Sequence, residues 1–363
     1  MLKQIKRQYH NIFKIGAVSF WPLFFNSILF PFRWYFNLDT NPVNIVWDIT
    51  YRCNLNCKYC LFAKNKLHTI QNELSLEKIR NFIKEIAIYK PSFFLTGGEP
   101  LLRTDLEEII SVIRSYKMKV GINTNTTLLT KERLLKLDKA GLNYMIISLD
   151  MNENVTDNFR GQGVYKKAFE AIKMLKEIKS KIRIVVNCVI NESNYQYTDN
   201  FLDFIEKLNI DALKLSYIYF NTKNEADNHQ KECERRLGEK IIPDCYEKEI
   251  FGHGSKIAEK IRLVMPKIKK MKTSVSFNPN LNEEEIVNWF DNSRILKRKC
   301  LYTFNVVRFS PNGDVYPCHF INKPVGNITE DEFINIYNNK FYKRLRKELK
   351  ESLFPGCVRC NKL

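Results

Sequence analysis

The 363-residue sequence lacks internal repeats and low-complexity tracts, which excludes a repeat array and argues against a largely disordered chain. Acidic residues are also scarce, because 58 Lys and Arg face 40 Asp and Glu and leave a net charge of +18. This excess favours anionic partners, or it reflects basic residues spread over solvated helix faces. No block of Lys and Arg is interleaved with aromatic residues, so we do not expect a nucleic-acid partner.

The first 38 residues contain no acidic residue and no small-residue cleavage site, so we do not expect a secretory signal. Basic residues flank the apolar run IGAVSFWPLFFNSILFPF, which Pro22, Asn26 and Pro31 interrupt. Three interpretations stay open: a segment in the headgroup region of the inner leaflet, a segment packed on the protein, and a membrane span. We expect a cytoplasmic protein, with membrane association through residues 1–38 as one alternative.

The ten cysteines do not fit a disulfide framework, because such frameworks are typical of small secreted chains. Seven of the ten fall into two spaced sets, one within residues 53–60 and one within residues 300–360. Ligation of metal in a reducing cytoplasm accounts for this grouping better than disulfide bonds do.

Between residues 43 and 218, short apolar stretches alternate with stretches of helical periodicity. The predicted strands are 44–49, 92–96, 118–123, 143–149, 182–190 and 212–218. The predicted helices are 75–90, 104–116, 130–140, 165–180 and 195–208. Thr104 and Glu107 have the spacing of a capping box, and Gly141 stands where a helix should end. The alternation predicts an α/β fold, a partial (β/α)6 parallel barrel whose ligands bind at the carboxyl ends of its strands.

The alternation breaks near residue 218, and we expect four segments in the chain. They are a basic, aromatic N-terminal segment (1–42), a core (43–220), an insert with a connecting helix (221–291) and a small cysteine-bearing module (292–363). The connecting helix is expected near 255–271, followed by a strand-like stretch at 273–277. In the module, Asn312-Gly313 predicts the turn of a β-hairpin, with helices near 329–338 and 340–352.

Three cysteines lie just after the first predicted strand, in the sequence CNLNCKYC: Cys53, Cys57 and Cys60. Three thiolates can ligate three irons of a [4Fe–4S] cubane and leave the fourth iron open. An open position distinguishes a catalytic metal centre from a closed structural one. Structural zinc would need a fourth ligand, for which His68 is the only imidazole close in sequence, so the spacing favours a catalytic cluster.

The CxxxCxxC motif directly after the first strand of such a fold, with Tyr59 before the third cysteine, resembles the radical S-adenosylmethionine (SAM) superfamily. The resemblance implies that the open iron chelates the amino and carboxylate groups of SAM. Electron transfer, from a donor such as ferredoxin or flavodoxin, then cleaves SAM to methionine and a 5′-deoxyadenosyl radical that abstracts hydrogen from a substrate.

The same resemblance implies SAM contacts at the ends of the later strands. Gly97-Gly98-Glu99 is similar to the family's GGEP motif, which holds the methionyl amine, and Tyr59 belongs to the same surroundings. Asn123-Thr124-Asn125 is similar to a stretch near the ribose, although Thr126 replaces the usual glycine. The other expected contacts are Ser148, Asp150, Val189 and Arg160, the last as a partner of the SAM carboxylate or else a surface residue. Cys188 is expected to be a buried small residue.

Four later cysteines, Cys300, Cys318, Cys357 and Cys360, can together ligate one [4Fe–4S] cluster or one zinc ion, and spacing alone leaves both open. Their pattern resembles the twitch module, a short relative of the SPASM extension of radical SAM enzymes. The resemblance implies one auxiliary cluster, for electron transfer or for shaping the pocket. A full SPASM extension would need further cysteines for a second auxiliary cluster. Cys233 and Cys245 are expected to be free thiols.

The substrate stays open between several classes, because fold does not fix substrate. We expect a radical SAM enzyme with two clusters that acts on a small metabolite, a sugar or a lipid. The alternatives are a maturase that modifies a ribosomal peptide and a non-catalytic iron–sulfur protein. About 42 residues precede the first strand, too few for the winged-helix domain with which many peptide maturases bind their substrates.

Overall fold

The computed structural model describes residues 35–36, 38–64, 72–244, 246–250, 252–291 and 298–362. Nearly all of the basic N-terminal segment lies outside these ranges, so the alternatives for residues 1–38 stay predictions. His68 and Cys245 also lie outside the described residues. In the part of the chain that is described, no helix has the length and apolarity needed to cross a bilayer.

A nine-stranded sheet forms the centre of the fold, in the order β11-β10-β1-β2-β3-β4-β5-β6-β9. Neighbouring strands are parallel except for the hairpin of β10 and β11. The strands are β1 (Asn44–Thr50), β2 (Ser92–Gly97), β3 (Val120–Thr124), β4 (Tyr144–Ser148), β5 (Arg183–Ile190), β6 (Ala212–Tyr217), β9 (Ser274–Asn278), β10 (Val306–Phe309) and β11 (Val315–Tyr316). Two short strands, β7 (Phe220–Asn221) and β8 (Tyr246–Glu247), pair separately.

Helices follow most strands, as expected for strand–helix units. They are α1 (Leu61–Lys64), α2 (Leu76–Ile86), α3 (Leu106–Ser115), α4 (Lys131–Ala140), α5 (Glu153–Arg160), α6 (Val164–Glu177), α7 (Thr198–Leu208), α8 (Lys223–Leu237), α9 (Gly254–Ile268), α10 (Glu283–Asp291), α11 (Tyr302–Asn305), α12 (Phe333–Tyr337) and α13 (Lys340–Glu351). Short 3₁₀ turns cover Ala87–Tyr89, Pro100–Leu102, Tyr195–Tyr197 and Pro355–Arg359.

Each strand has one face toward the helices and one toward the barrel interior, because successive side chains alternate. On β1, Trp47 is fully buried and packs edge-on against Phe82 of α2. At the lower end of the interior, an apolar cluster fills the space between the strands: Val43, Tyr144, Ile146, Val185 and Ala212. The upper end, where the strands finish, is therefore the end at which polar ligands can bind.

The structure confirms the predicted α/β fold and partial barrel. All six predicted core strands are present within two residues at each end, and the expected hairpin has Gly313 at φ +92° in its turn. Gly141 ends α4 at φ +87°, as predicted. The stretch at 273–277 is β9, which adds to the sheet beside β6.

The predicted capping box is wrong. Helix α3 begins at Leu106, and Asp105 occupies the N-cap position. With Thr104 as the N-cap, the helix would have begun one residue earlier. The Glu107 carboxylate accepts from Arg133 Nε at 2.9 Å instead of turning back to the helix start. A cross-helix ion pair thus replaces the local hydrogen bond that the sequence suggested.

The C-terminal module joins the core through β10, which lies parallel to β1 and opposes Arg308 to Val46. Arg308 Nε donates to Asp48 Oδ2 at 2.7 Å, and both side chains are almost completely buried. Arg308 Nη1 also lies 3.5 Å from Asp244 Oδ2. Because an unpaired buried charge is strongly unfavourable, this ion pair fixes β10 beside β1.

We therefore predict that Asp48→Asn destabilises the protein by about 3 kcal/mol, since it leaves the Arg308 guanidinium buried with one distant carboxylate. Urea denaturation of the metal-free chain, followed by circular dichroism, measures the change. Glu132→Gln breaks a solvent-exposed pair with Lys136 and serves as the control, with no measurable effect expected. Equal stabilities of the two variants would contradict the assignment.

Candidate active site

The first cysteine set lies on the loop between β1 and α1, at the carboxyl end of β1. The loop is held from outside by the end of α5: Lys58 N donates to Phe159 O at 2.9 Å, and Cys57 Sγ lies 3.8 Å from Arg160 O. Within the loop, Cys60 N donates to Cys57 O at 3.0 Å. The thiols are thus presented at the end of the barrel where ligands bind such sheets.

Burial is the largest cause that raises the pKa of Cys53 to about 12 and that of Cys57 to about 11, and neighbouring thiols contribute to both shifts. The three thiols are therefore close enough to interact electrostatically. Thiols with raised pKa values are protonated at neutral pH, so binding of iron must displace their protons.

No group of three or more His, Cys, Asp or Glu side chains among the described residues is arranged to hold one metal ion. A cubane does not require such convergence, since each thiolate binds a different iron.

Gly97 and Gly98, at the end of β2, pack directly against the chain that leads into the cysteine loop. Gly98 N donates to Thr50 O and Glu99 N to Arg52 O, both at 2.8 Å. A Cβ atom on Gly97 would lie 2.2 Å from Thr50 O, and one on Gly98 would lie 2.1 Å from Arg52 O. Glycine is required here because the two backbones touch, so the β2 loop and the cysteine loop form one unit.

The Glu99 carboxylate is buried and joins this unit to the end of β3. It accepts from Thr124 Oγ1 and from Asn125 N, each at 2.7 Å. Burial raises the pKa of Glu99 to about 7, although these hydrogen bonds oppose the shift. Asn125 Nδ2 in turn donates to Asn54 Oδ1 in the cysteine loop at 3.1 Å.

Thr126 occupies the position where a glycine was expected, and its backbone keeps the left-handed conformation that favours glycine, with φ +63°. This conformation is strained for a β-branched residue. It is held because Thr126 N donates to Thr124 Oγ1 at 2.9 Å and Thr126 Oγ1 donates to Asn125 O at 2.7 Å. These two hydrogen bonds hold the loop in this conformation.

Asp150 links three further parts of the site. Its carboxylate accepts from Tyr59 Oη at 2.5 Å, from Arg160 Nε at 2.8 Å and from Val189 N at 2.9 Å. Asp150 and Arg160 are 1% and 8% exposed, and the Arg160 guanidinium lies 5.4 Å from the centre of the Tyr59 ring. The predicted contact of Arg160 with the SAM carboxylate stays a prediction, because Asp150 is the partner seen in the structure.

The remaining predicted contacts lie around the same opening. Ser148 ends β4 and pairs in register with Asn187, and Asn123 lies one residue before the end of β3. Cys188 is fully buried on the helix side of β5, as expected of a small packing residue. The structure thus brings the predicted SAM-binding residues together at the ends of neighbouring strands.

The second cysteine set gathers Cys300, Cys318, Cys357 and Cys360 around one apolar cluster. Burial is the largest cause that raises the pKa of all four thiols, that of Cys318 to about 12, and nearby members of the set contribute to the shifts of Cys318, Cys357 and Cys360. Backbone amides of Ile321 and Lys362 point at the sulfurs of Cys318 and Cys360, at 3.3 and 3.4 Å. Four mutually interacting thiols, two buried and two half-buried, fit a fully ligated cluster.

Helix α8 holds the Cys357–Cys360 turn, and sequence reasoning missed it. His229 Nδ1 accepts from Gly356 N at 3.0 Å, and its Nε2 lies 2.7 Å from Phe320 O. Arg359 Nη1 donates to the Glu225 carboxylate at 2.6 and 2.8 Å. Glu225, His229 and Cys233 recur every fourth residue, a periodicity that could have revealed the buried face of this helix.

Two family models match the chain. The radical SAM superfamily model matches residues 47–205, and the model of the SPASM iron–sulfur cluster-binding domain matches residues 300–361. The first range contains the cysteine loop and the surrounding strand ends, and the second contains the four later cysteines.

The relatives found by sequence similarity are named for two kinds of reaction, synthesis of porphyrin compounds and cyclisation of a peptide. An AdoMet-dependent heme synthase of Methanosarcina barkeri is 29% identical over 322 residues, covering 85% of this chain and 86% of the relative. A Fe-coproporphyrin III synthase of the same organism is 33% identical over 51% of this chain and 46% of the relative. The PqqA peptide cyclase of Bradyrhizobium diazoefficiens is 28% identical over 49% of this chain and 47% of the relative.

Among solved structures, Streptococcus suis SuiB bound to S-adenosylmethionine matches with a TM-score of 0.64 and 15% identity. The match covers 89% of this chain and 72% of SuiB, and it shows a shared fold. The two family matches identify the chain as a radical SAM superfamily enzyme with a SPASM iron–sulfur domain, whose cofactors are SAM and [4Fe–4S] clusters.

Proposed function

We propose that this enzyme uses SAM to initiate radical oxidation of a carboxylate-bearing small molecule of the porphyrin class. The observation that carries the proposal is the similarity to a heme synthase along 85% of this chain and 86% of the relative. The shorter match to a Fe-coproporphyrin III synthase supports the same class. A substrate with several carboxylates also suits a chain with a net charge of +18.

In this proposal Cys53, Cys57 and Cys60 hold the SAM-binding cluster, which supplies the electron that cleaves SAM to a 5′-deoxyadenosyl radical. Glu99 and Asp150 fix the surrounding loops, because each carboxylate accepts three or more hydrogen bonds. Gly97 and Gly98 expose backbone at the methionyl end of SAM, while Asn123, Thr124, Asn125, Ser148, Arg160 and Val189 surround the rest. The reductant is supplied by a separate electron donor.

We further propose a two-cluster enzyme. Cys300, Cys318, Cys357 and Cys360 would ligate all four irons of the auxiliary cluster and leave none open to the substrate. Bound there, the cluster would supply electron transfer from the substrate radical. The proposed segments are 1–42, 43–220, 221–291 and 292–363, with helix α8 of the insert supporting the auxiliary site through His229 and Glu225.

Modification of a peptide is the second candidate function. It is favoured by the similarity to the PqqA peptide cyclase, although that match covers half of this chain. The two candidates differ in the size of the substrate that must enter the barrel, and both use the same SAM chemistry.

We predict about eight irons per chain after anaerobic reconstitution, four for each cluster. Cys57→Ala should lose about half of this iron and all 5′-deoxyadenosine formation under dithionite. Cys357→Ala should also lose about half of the iron but retain cleavage of SAM. Cys188→Ala, which removes a buried thiol outside both sets, is the control and should keep all the iron. About four irons in the unaltered chain, or zinc at the second set, would refute the two-cluster proposal.

We predict that iron-coproporphyrin III raises the rate of 5′-deoxyadenosine formation and is converted to a product of different mass. The reaction contains the reconstituted enzyme, SAM and dithionite, and mass spectrometry follows both compounds. Cys57→Ala provides the matched control without radical formation. Cleavage of SAM that leaves the porphyrin unaltered would reject the porphyrin class and direct the search to peptides.

A further inference from the structure

A lysine lies inside the barrel, where the SAM chemistry does not account for it. Lys214 is the third residue of β6, between Leu213 and Leu215, which are fully buried on the helix side. Side chains alternate along a strand, so Lys214 shares the interior face with Ala212 and Ser216. Ala212 belongs to the apolar cluster at the lower end, which places Lys214 one layer above it.

The layer of Lys214 is polar across neighbouring strands. Lys214 pairs in register with Asn187 of β5 and with Ser276 of β9. All three side chains are half-buried, and Asn187 Oδ1 accepts from Ser216 Oγ at 2.8 Å in the layer above. A row of polar groups above an apolar floor is typical of a ligand site, in which a few polar groups fix orientation.

The sheet provides no acid to balance this lysine. Its nine strands contain one acidic residue, Asp48, which pairs with Arg308. The other strand cation, Arg183, pairs with Asp211 at the lower rim. Within the described chain, no oxygen accepts a hydrogen bond from Lys214. Burial, and then the charge of Lys362, lowers the pKa of Lys214 to about 7.

Lys362 connects this position to the auxiliary site. Its ammonium is close enough to influence Lys214, and its backbone N donates to Cys360 Sγ at 3.4 Å. On the neighbouring strand β5, Val189 lies on the same face as Asn187, and its backbone N donates to Asp150 beside the cysteine loop. Lys214 therefore lies on the interior face of the barrel, close to the residue that follows the auxiliary cysteines by two positions.

We propose that the Lys214 ammonium binds a carboxylate of the substrate inside the barrel and so determines specificity for acidic substrates. The porphyrin identity of that substrate rests on the function proposed above, whereas the carboxylate contact rests on the position of Lys214. Bound there, one carboxylate is anchored near the auxiliary site while the rest of the molecule extends toward the SAM-binding end.

Binding of matched acids and esters tests this proposal with the reconstituted full-length enzyme. The first pair of probes is iron-coproporphyrin III and its tetramethyl ester, whose binding is measured by Soret absorbance. The second pair is glutarate and dimethyl glutarate, whose binding is measured by the shift in the melting temperature of the enzyme. The unaltered enzyme should bind each acid more tightly than its ester. Lys214→Met should weaken binding of the acid by about 10-fold or more and leave binding of the ester unchanged, because a charged hydrogen-bond partner is lost. Lys214→Arg should retain the preference.

Lys173→Met, at a 70% exposed position, is the control and should bind like the unaltered enzyme. Iron content verifies that each variant folds, and Lys214→Gln replaces Lys214→Met if the latter does not. If Lys214→Met still prefers the acids, or if the unaltered enzyme prefers neither acid, the carboxylate site is refuted. If glutarate is preferred through Lys214 but the porphyrin does not bind, the site stands and the porphyrin class is wrong.

Discussion

The buried ion pair of Asp48 and Arg308 is the contact on which the arrangement of the two cysteine sets depends. Asp48 lies on the strand that leads into the first set, and Arg308 lies on the strand that leads into the hairpin before Cys318. An unpaired buried charge is strongly unfavourable, so separating the two strands would leave Asp48 and Arg308 each without its partner. Because of this pair, the C-terminal module is an extension of the main sheet.

The SAM-binding end of the barrel is likewise organised by a small number of buried charged side chains. Glu99 and Asp150 each connect the cysteine loop or its neighbours to strands distant in sequence, and both are almost completely buried. Their hydrogen bonds to backbone and side-chain donors fix these loops relative to one another. Such preorganisation reduces the reorganisation required when charge moves during a reaction.

Much of this arrangement could be predicted from the sequence because its signals are local. The six core strands are short apolar runs. The roles of the cysteines, the GGEP segment and Gly141 can be predicted from the residues next to them in sequence. Pairing of β10 with β1 could not be predicted, because it depends on the distant contact of Asp48 with Arg308. Helix α8 was not predicted because its exposed faces are strongly polar. The predicted capping box was wrong because the Glu107 carboxylate pairs with Arg133 of the next helix and not with the backbone at the start of its own helix.

The distribution of charge along the barrel axis explains how one fold can serve two ligands. The lower end is closed by apolar side chains, the middle layer contains Lys214 with neutral polar neighbours, and the upper end holds the acids that fix the loops. Since Glu99 and Asp150 are satisfied by backbone and side-chain donors, they do not compete for Lys214. Lys214 is therefore a cation inside the barrel that no acid of the sheet neutralises. The acids that fix the loops and the lysine proposed to bind a substrate thus lie at different levels of the barrel.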